Sequence, residues 1–437
     1  MSKTSFVKKG QALLLLSFAL LVVIGTALLL LPGILKTGTL PFIDALFMSC
    51  SAVCLTGLSS VQLSDFTIAG QAVLLLLIQC GSIGIMSLSA MILLVIGRGL
   101  SFSNTLMINN LNDGFSLRNT EHLIRTITGY TFISEGIGFI LMFPGFLLEN
   151  HGLWKSLWYS LFFSIGSFCN SGFSPLPGSM ITLSRYIQSC GMVLIIAGGL
   201  GVYVVYDLLQ YIRGKKRNLC LHSRIVLWTT IILMAAGTVL LFILSRTDKV
   251  SMSLFDALFL SISSRTAGYC TTDPGVLSYS CQMVVIVLML IGGSPGGTAG
   301  GIKTSTIAVA FAALSSSFRG DSRVILSKRT IPVNSVLRAF TIIVIFILTA
   351  CAGAILLESL SPGGITALRC FFESASAIST SGLSTGNATA EWNIPCKTVL
   401  ILFMFAGRVG PLTVMLFFMG REKPERLRYP EERVIVG

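Results

Sequence analysis

Eight apolar segments, each long enough to cross a lipid bilayer as an α-helix, constrain this chain more than any other feature. They lie at residues 11–32, 69–97, 123–148, 186–212, 223–245, 280–316, 334–357 and 397–419. About 20 apolar residues span the hydrocarbon core, and a helix satisfies all its backbone polar groups internally. Charged residues make up only 11% of the 437, less than half the share in an average soluble domain. The sequence therefore predicts an all-α membrane protein.

The first segment follows Lys3, Lys8 and Lys9 and so begins like a secretory signal peptide. Its apolar core is longer than that of a signal peptide, and no small-residue cleavage site follows it. We interpret it as a retained transmembrane helix.

The net charge of +13 comes from basic clusters between the apolar segments. With the topology that these segments predict, 21 of the 31 Lys and Arg lie on one side, seven on the other and three at membrane depth. Short cytoplasmic loops carry such an excess, so we place both termini in the cytoplasm of a multi-pass protein of the cell membrane. A nucleic-acid partner is not needed to explain the charge. The two main clusters are Arg213, Lys215, Lys216 and Arg217, and Arg319, Arg323, Lys328 and Arg329.

Residues that would support catalysis or metal binding are scattered. The eleven cysteines have no CxxC spacing, and the three histidines are far apart in the sequence. We therefore expect no zinc site, no disulfide framework and no enzyme, and no cofactor on this chain beyond a transported cation.

Between the two apolar segments of each successive pair lies a shorter amphipathic stretch that ends in small polar residues and a glycine. Each is too short to span a bilayer and is a candidate re-entrant helix. A phenylalanine precedes the glycine by ten positions in the first, second and fourth stretches and by nine in the third. The pairs are Phe47 and Gly57, Phe162 and Gly172, Phe259 and Gly268, and Phe372 and Gly382.

This pattern predicts four units of helix, re-entrant pore loop and helix around one central pore, with eight transmembrane helices in all. Each unit contains two crossings, so the units are parallel and share an axis along the membrane normal, unlike inverted repeats. The predicted units are 1–98 with pore loop 41–60, 99–218 with pore loop 154–175, 219–330 with pore loop 252–272, and 331–437 with pore loop 363–386 and a tail at 420–437.

Two of the short helices have start signals, a capping-box spacing at Ser253 and Asp256 and a first turn with Pro41 and Asp44. The helices would start outside and point inward. Their C-terminal ends carry partial negative charge, which favours a cation in the pore.

The glycine segments have the chemistry of a potassium filter, in which backbone carbonyls replace the hydration shell of the ion. A glycine accepts positive φ at little cost and so lets consecutive carbonyls face one side. One such glycine alone would more readily be a loop breaker, but four at matching positions indicate a filter that binds K+ through backbone carbonyls only. The candidate filter residues are Val53, Cys54, Leu55, Thr56 and Gly57; Cys169, Asn170, Ser171 and Gly172; Arg265, Thr266, Ala267 and Gly268; and Ser379, Thr380, Ser381 and Gly382.

The sixth apolar segment is too long to be one helix, since its 37 residues would extend about 55 Å. We expect a break where Gly and Pro are concentrated. A phosphate-binding loop would need a glycine directly before the lysine, whereas Ile302 precedes Lys303. The predicted break comprises Gly292, Gly293, Ser294, Pro295, Gly296, Gly297, Thr298, Ala299, Gly300 and Gly301.

Arg408 lies in an apolar run, and an arginine at the bilayer centre costs about 2.5 to 3.5 kcal/mol. It therefore requires a partner, unless it snorkels near a helix end. Glu135 and Glu358 are intramembrane acids whose partners the sequence does not identify. On the fourth pore helix, Glu373 is spaced to pair with Arg369. We expect Arg265 to support the filter from behind.

Seven motifs together resemble the Trk/Ktr/HKT superfamily of potassium transporters, and within it the Ktr membrane subunits. The resemblance covers nearly the whole chain. Cys54, Leu55 and the run Cys169-Asn170-Ser171 differ from the commoner filter residues of the family. The motifs are SAVCLTGL (51–58), NSGF (170–173), SRTAGY (264–269), GGSPGGTAGGIKT (292–304), SGLSTG (381–386), GRVGPLT (407–413) and RYPEERVIVG (428–437).

The resemblance implies K+ uptake, Na+ stimulation, a homodimer with one pore per protomer, and a cytosolic RCK-type nucleotide-binding ring that would carry ATP or ADP. It implies that residues 292–304, including Lys303, form an intramembrane gate below the filter. It also implies that Arg408 faces the cavity and hydrogen-bonds carbonyls of this loop.

Two other functions remain open at this point. One is a Na+ or ammonium permease on the same scaffold; the four filter glycines favour K+, since a serine in place of one of them accompanies Na+ passage in this superfamily. The other is a membrane-embedded enzyme, which a K+ flux assay in liposomes would separate from a transporter. The apolar end Val434–Gly437 is predicted to dock at the dimer interface or on the regulatory subunit, with a solvated tail as the alternative.

Overall fold

The computed structural model describes residues 3–96, 120–246, 251–321, 323–327, 329–361, 365–386 and 392–410. The predicted tail at 420–437 and the end of the last apolar segment lie outside these ranges.

The described residues are helical almost throughout. One short hairpin pairs strand β1 (Ile325–Leu326) antiparallel with β2 (Arg329–Thr330). The helices are α1 (Lys3–Leu29), α2 (Phe42–Val53), α3 (Ile68–Ile96), α4 (Thr120–Leu148), α5 (Leu153–Cys169), α6 (Arg185–Leu200), α7 (Val202–Ile212), α8 (Leu221–Ser245), α9 (Leu254–Ser263), α10 (Tyr279–Leu290), α11 (Thr304–Phe318), α12 (Val333–Leu360), α13 (Ala367–Ser379) and α14 (Ile394–Val409).

A long helix, a short helix and a third helix follow one another four times. The short helices are α2, α5, α9 and α13, and each packs against the long helix that precedes it. The four phenylalanines that the sequence placed in register with glycines lie on these short helices and are fully buried. At the start of α9, the Ser253 hydroxyl accepts a hydrogen bond from the Asp256 backbone N–H, as the capping-box spacing predicts.

The third helix of each unit also packs against the short helix of the next unit. These contacts join α3 to α5, α6 to α9, α10 to α13, and α14 back to α2. The units therefore form a closed ring in chain order, with the short helices inside.

The long first helices of units two, three and four lie on the outside of the ring. Thr126–Leu148, Leu221–Ser245 and Val333–Leu360 are long and apolar enough to cross a membrane, and α6 with α7 would make a fourth span if the bent pair is one crossing; this test covers the described residues only. Large apolar side chains on these helices, such as Trp228, Ile232 and Ile355, are exposed. Such an outer surface is suited to lipid.

Two apolar segments are interrupted. The break in 280–316 falls between Leu290 and Thr304, where the sequence predicts it. The segment 186–212 was expected to be one helix, but α6 and α7 meet at Gly201 with a bend of 101°. At this bend Gly201 has φ +81°, and a Cβ there would lie 2.7 Å from the carbonyl oxygen of Pro295, in the break between Leu290 and Thr304. The two interruptions therefore pack against each other.

Candidate functional site

The four predicted filter glycines meet around one axis. All four have positive φ, between 71° and 91°. A Cβ on any of them would lie too close to a backbone oxygen of the next unit in the ring. Only glycine therefore fits without displacing the backbone. The glycine and oxygen pairs are Gly57 with Ser171, Gly172 with Ala267, Gly268 with Ser381, and Gly382 with Thr56.

The residue two positions before each glycine is also left-handed, although it has a side chain. The φ angles are 53° at Leu55, 55° at Asn170, 75° at Thr266 and 52° at Thr380. Such a conformation costs about 1 to 3 kcal/mol and persists only where the surroundings enforce it. Its repetition in four different sequences indicates that the fold imposes one backbone shape on all four segments.

Each segment is tied to the end of its own short helix. The backbone N–H before the glycine donates across five residues from Thr56 to Ser51, from Ser171 to Gly166 and from Ser381 to Ser376, at 2.8–2.9 Å. In the third unit Ala267 donates across four residues to Ser263. The shorter loop matches the nine-residue spacing from Phe259 to Gly268.

A second set of glycines lets the third helices approach the short helices. A Cβ on Gly81, Gly198 or Gly407 would clash with the carbonyl oxygen of the residue four before the filter glycine, which is Val53, Phe168 or Ile378 respectively. Each glycine lies 14 residues after the N-cap of its helix, at Thr67, Ser184 or Asn393. This repeated spacing is visible in the sequence, but no role was predicted for these glycines.

A third repeated feature fixes the outer loops. Four residues after the N-cap, Gln71, Gln188 and Gln282 each donate Nε2 hydrogen bonds to carbonyls eight and five residues earlier. In the fourth unit this position is Lys397, whose Nζ lies 2.7 Å from Oδ1 of Asp44 on α2. The last unit is thereby linked to the first.

The segment 291–303 between α10 and α11 lies in the bend between α6 and α7. It contains most of 292–304, the range that the resemblance implies to be a gate, and is called the gate loop below for that reason only. Thr298 N donates to Gly198 O at 3.1 Å, and Ser294 N donates to Gly199 O at 3.0 Å. The Ser294 hydroxyl also donates to Gly199 O at 2.7 Å and to Leu200 O. In return, Val202 N donates to Gly296 O at 3.3 Å. The carbonyls freed by the bend thus find donors in the loop, as buried backbone requires.

The gate loop also contacts the inner ends of two filter segments. Asn170 Nδ2 donates to Thr298 Oγ1 at 3.1 Å, and this hydroxyl donates to Phe168 O at 3.2 Å. A Cβ on Gly300 would overlap the Thr380 hydroxyl and lie 2.7 Å from Ser379 O. The loop therefore lies directly against filter segments two and four.

Three buried or half-buried cations hold the gate loop. Arg408 Nη1 donates to Thr298 O at 2.6 Å, which is the kind of contact predicted for this arginine. Arg265 Nη2 donates to Gly292 O at 3.1 Å, and Lys303 Nζ donates to Ala299 O at 2.6 Å. Arg265, expected behind the filter, therefore joins the third filter segment to the loop.

Two of the three acids that the sequence singles out have hydrogen-bond partners that the sequence did not identify. Glu135 accepts from Gln79 Nε2 at 3.0 Å and from Cys169 Sγ at 3.6 Å, so it lies behind the second filter segment. Glu373, for which the spacing predicts a pair with Arg369, accepts hydrogen bonds from Ser384 Oγ at 2.7 Å and from Thr385 N at 3.0 Å, beyond the filter glycine of unit four. The remaining acid, Glu358, is exposed near the end of α12.

A cavity of about 460 Å³ opens onto two of the four predicted filter glycines and onto residues that follow them in the chain. Gly57, Gly382 and Ser384 line it, together with the carboxylate-bearing Asp65. The four glycine segments therefore separate an open cavity from a hydrogen-bonded loop. Backbone oxygens at such a constriction can take the place of the hydration shell of a cation.

Comparison with known proteins gives a consistent result. The family model described as "TrkH: Cation transport protein" matches residues 7–426. The chain is 34% identical to the "Ktr system potassium uptake protein B" of Vibrio alginolyticus, over 98% of this chain and 96% of that protein. It is 33% identical to the "Potassium/sodium uptake protein NtpJ" of Enterococcus hirae, over 96% of this chain and 95% of that protein. The crystal structure of the potassium transporter TrkH from Vibrio parahaemolyticus has the same fold, with a TM-score of 0.74 at 20% identity, covering 94% of this chain and 85% of that one.

Proposed function

Because this chain belongs to the TrkH family of cation transport proteins, we propose that it is the K+-conducting membrane subunit of a Ktr-type uptake system. The relatives at 34% and 33% identity are named for potassium uptake and for potassium/sodium uptake. The family is one of transporters rather than enzymes. The proposal adds to these names that each chain forms one pore and that this pore has a defined selectivity filter.

One observation carries the proposal: four glycines from four units meet with the same backbone shape. Gly57, Gly172, Gly268 and Gly382 each have positive φ, and each touches the next unit. Carbonyls of the residues before them replace the hydration shell of K+, and the C-terminal ends of four short helices favour the positive charge. The cavity beside Gly57 and Gly382 is the outer entrance.

The gate loop obstructs the path at the inner end of this filter. Its contacts with Asn170 and Thr380 lie immediately inside the glycine ring. A loop rich in glycine has little conformational preference of its own, so Arg408, Arg265 and Lys303 fix its position through carbonyl oxygens. Conduction requires the loop to move aside.

In the membrane, the four units make eight crossings with pore loops between them, and both termini face the cytoplasm. We further propose that the chain acts as a homodimer, that a cytosolic RCK-type ring binding ATP or ADP controls the loop, and that Na+ stimulates uptake. The sequence identity with a Ktr-system protein extends over 98% of this chain, which supports assembly with further subunits.

The experiment is uptake of 86Rb+ into liposomes that contain the purified chain, with K+, Na+ or NH4+ as competitors. K+ should compete best. Equal competition by Na+ would favour the alternative permease; the second relative is named for sodium as well as potassium. A protein that mediates no ion flux would contradict the proposal.

Gly57→Ser tests the filter itself. A Cβ at Gly57 would clash with the Ser171 carbonyl, so the variant should lose discrimination between K+ and Na+ while it still inserts. Gly38→Ser is the matched control, because Gly38 also has positive φ but nothing lies within 4 Å of its Cβ position. Unchanged competition in all four single variants at Gly57, Gly172, Gly268 and Gly382 would exclude the glycine ring as the filter.

A further inference from the structure

Asn170 differs from its counterparts in the other three filter segments. The equivalent residues are Leu55, Thr266 and Thr380, none of which has an amide. Asn170 Nδ2 donates to Thr298 Oγ1 of the gate loop, while its Oδ1 is buried and has no hydrogen-bond partner among the described residues. The side chain is therefore held at one end only, and by the gate loop.

Thr298 connects the gate loop to several neighbours through hydrogen bonds of its N–H, carbonyl and hydroxyl groups. Its N–H donates to Gly198 O, and its carbonyl accepts from Arg408. Its hydroxyl accepts from Asn170 and donates to Phe168 O at the end of the short helix α5. One residue thus contacts the bent helix, the buried guanidinium and the filter.

We propose that the hydrogen bond between Asn170 and Thr298 joins the gate loop to the second filter segment, and that loss of this bond, rather than movement of the rest of the loop, changes the filter. This inference rests on the proposed function and adds a regulatory coupling to it. Both are positioning residues. Among the four equivalent positions only Asn170 has an amide, so this hydrogen bond is particular to unit two.

The physical basis is the strained backbone at Asn170, whose φ is 55°. A left-handed residue with a side chain persists where its surroundings enforce it. When Thr298 moves away, Asn170 loses its only side-chain partner among the described residues, and the carbonyls of residues 169–171 lose a restraint. Discrimination between K+ and Na+ should therefore respond to the loss of this hydrogen bond.

Another hydroxyl in the same loop provides a matched control. Ser294 Oγ donates to carbonyls of the bent helix, Gly199 and Leu200, and touches no filter residue. Ser294→Ala should loosen the loop and leave the filter unchanged. Thr298→Val should loosen the loop and change the filter, and Thr298→Ser, which keeps the hydroxyl, should behave like the unmodified protein.

The first test measures 86Rb+ uptake and its competition by Na+ in liposomes without a regulator. Thr298→Val and Asn170→Gly should each raise uptake about two- to tenfold, the range of one lost hydrogen bond, and the double variant should add nothing more. Glycine at 170 keeps the left-handed backbone without strain. Both variants should strengthen Na+ competition equally, whereas Ser294→Ala should raise uptake without doing so.

Two results would overturn the inference: Na+ competition that stays unchanged in Thr298→Val, or single effects that multiply in the double variant. A second measurement does not depend on transport. Hydrogen exchange of the backbone amides of residues 293–300, followed by mass spectrometry, should be faster in Asn170→Gly and Thr298→Val and normal in Thr298→Ser. Unchanged exchange in Asn170→Gly would reject the coupling. If the unmodified chain takes up no 86Rb+, the proposed function fails, and exchange still decides the coupling.

Discussion

At the scale of single residues, the burial of the charged Arg408 side chain carries a large electrostatic cost. Its guanidinium is buried, and Nη1 donates to Thr298 O, while Nε and Nη2 have no hydrogen-bond partner among the described residues. A charge in this position is costly, so its one strong hydrogen bond has a large effect on where the gate loop lies. Arg408 therefore stabilises the position that the loop has in this structure.

Arg408→Ala should increase K+ flux. A hydrogen bond to a charged group contributes about 1.5 to 3 kcal/mol, and its loss would raise the open population about ten- to a hundredfold. Uptake of 86Rb+ into liposomes should be faster and less dependent on the regulator, and competition by Na+ should stay unchanged because Asn170 keeps its bond to Thr298.

The control is Arg185→Ala, which removes a guanidinium that is 55% exposed and pairs with Asp256 on the outer side. This variant should conduct like the unmodified protein. If Arg408→Ala folds but conducts no faster without the regulator, the burial of Arg408 needs another explanation.

At the scale of helices, the position of a filter segment depends on how closely the third helix approaches the short helix. In α3, Gly81 touches Val53 O, whereas Gly84, one turn later, has only the Phe18 ring 3.7 Å from its Cβ position. Substitutions at these two glycines therefore separate the effect of helix propensity from the effect of close packing within one helix.

Gly81→Ala should lower the apparent melting temperature of the detergent-purified protein, because overpacking against backbone costs about 1 to 3 kcal/mol. Gly84→Ala should leave the melting temperature unchanged or slightly raised, since alanine is the better helix former by up to about 1 kcal/mol. Size-exclusion chromatography after heating measures both. Equal melting of the two variants would show that the contact with Val53 is not restrictive.

The helices also show how far sequence could predict the fold. The spacing of phenylalanine and glycine predicted the four segments. In each segment the phenylalanine marks the buried face of a short helix, and the glycine marks the turn that follows the end of that helix. The length of 280–316 predicted a break, because no bilayer holds 37 helical residues. The bend at Gly201 was missed, because 186–212 is a continuous apolar run of acceptable length and the gate loop that packs into the bend is distant in sequence.

Side-chain partners were harder to predict than helices. Asn170 and Thr298 are 128 positions apart, and Asp44 and Lys397 are 353 positions apart. No local pattern specifies such a pair. The contact of Arg408 with the loop was predicted only because a buried charge needs an acceptor and the family resemblance indicated which one.

At the scale of the whole molecule, the ring is covalently continuous between successive units but not between the fourth and the first. At that junction α14 packs on α2, and Lys397 pairs with Asp44 at 2.7 Å, with side chains only 10% and 12% exposed. Arg185 and Asp256 form a comparable pair between units two and three, but there the guanidinium is largely exposed. The buried pair closes the ring.

Lys397→Ala should destabilise the protein by about 3 to 5 kcal/mol, the cost of leaving a buried charge unpaired. Arg185→Ala should cost about 1 kcal/mol or less, because its pair is exposed to solvent. Thermal melting of the purified protein compares them. The double variant Asp44→Asn with Lys397→Gln should recover most of the loss, since glutamine occupies this position in the other three units. Melting of Lys397→Ala equal to that of Arg185→Ala would contradict a role in closure.

The single chain has a consequence for how such a pore changes during evolution. In a channel of four identical subunits, every substitution in the filter appears four times at once. Here Leu55, Asn170, Thr266 and Thr380 occupy equivalent places, and each is encoded separately. A codon change therefore alters a quarter of the ring. One unit can therefore acquire an amide that reaches the gate loop while the other three units keep their own side chains. Natural selection acts on the residue of each unit separately.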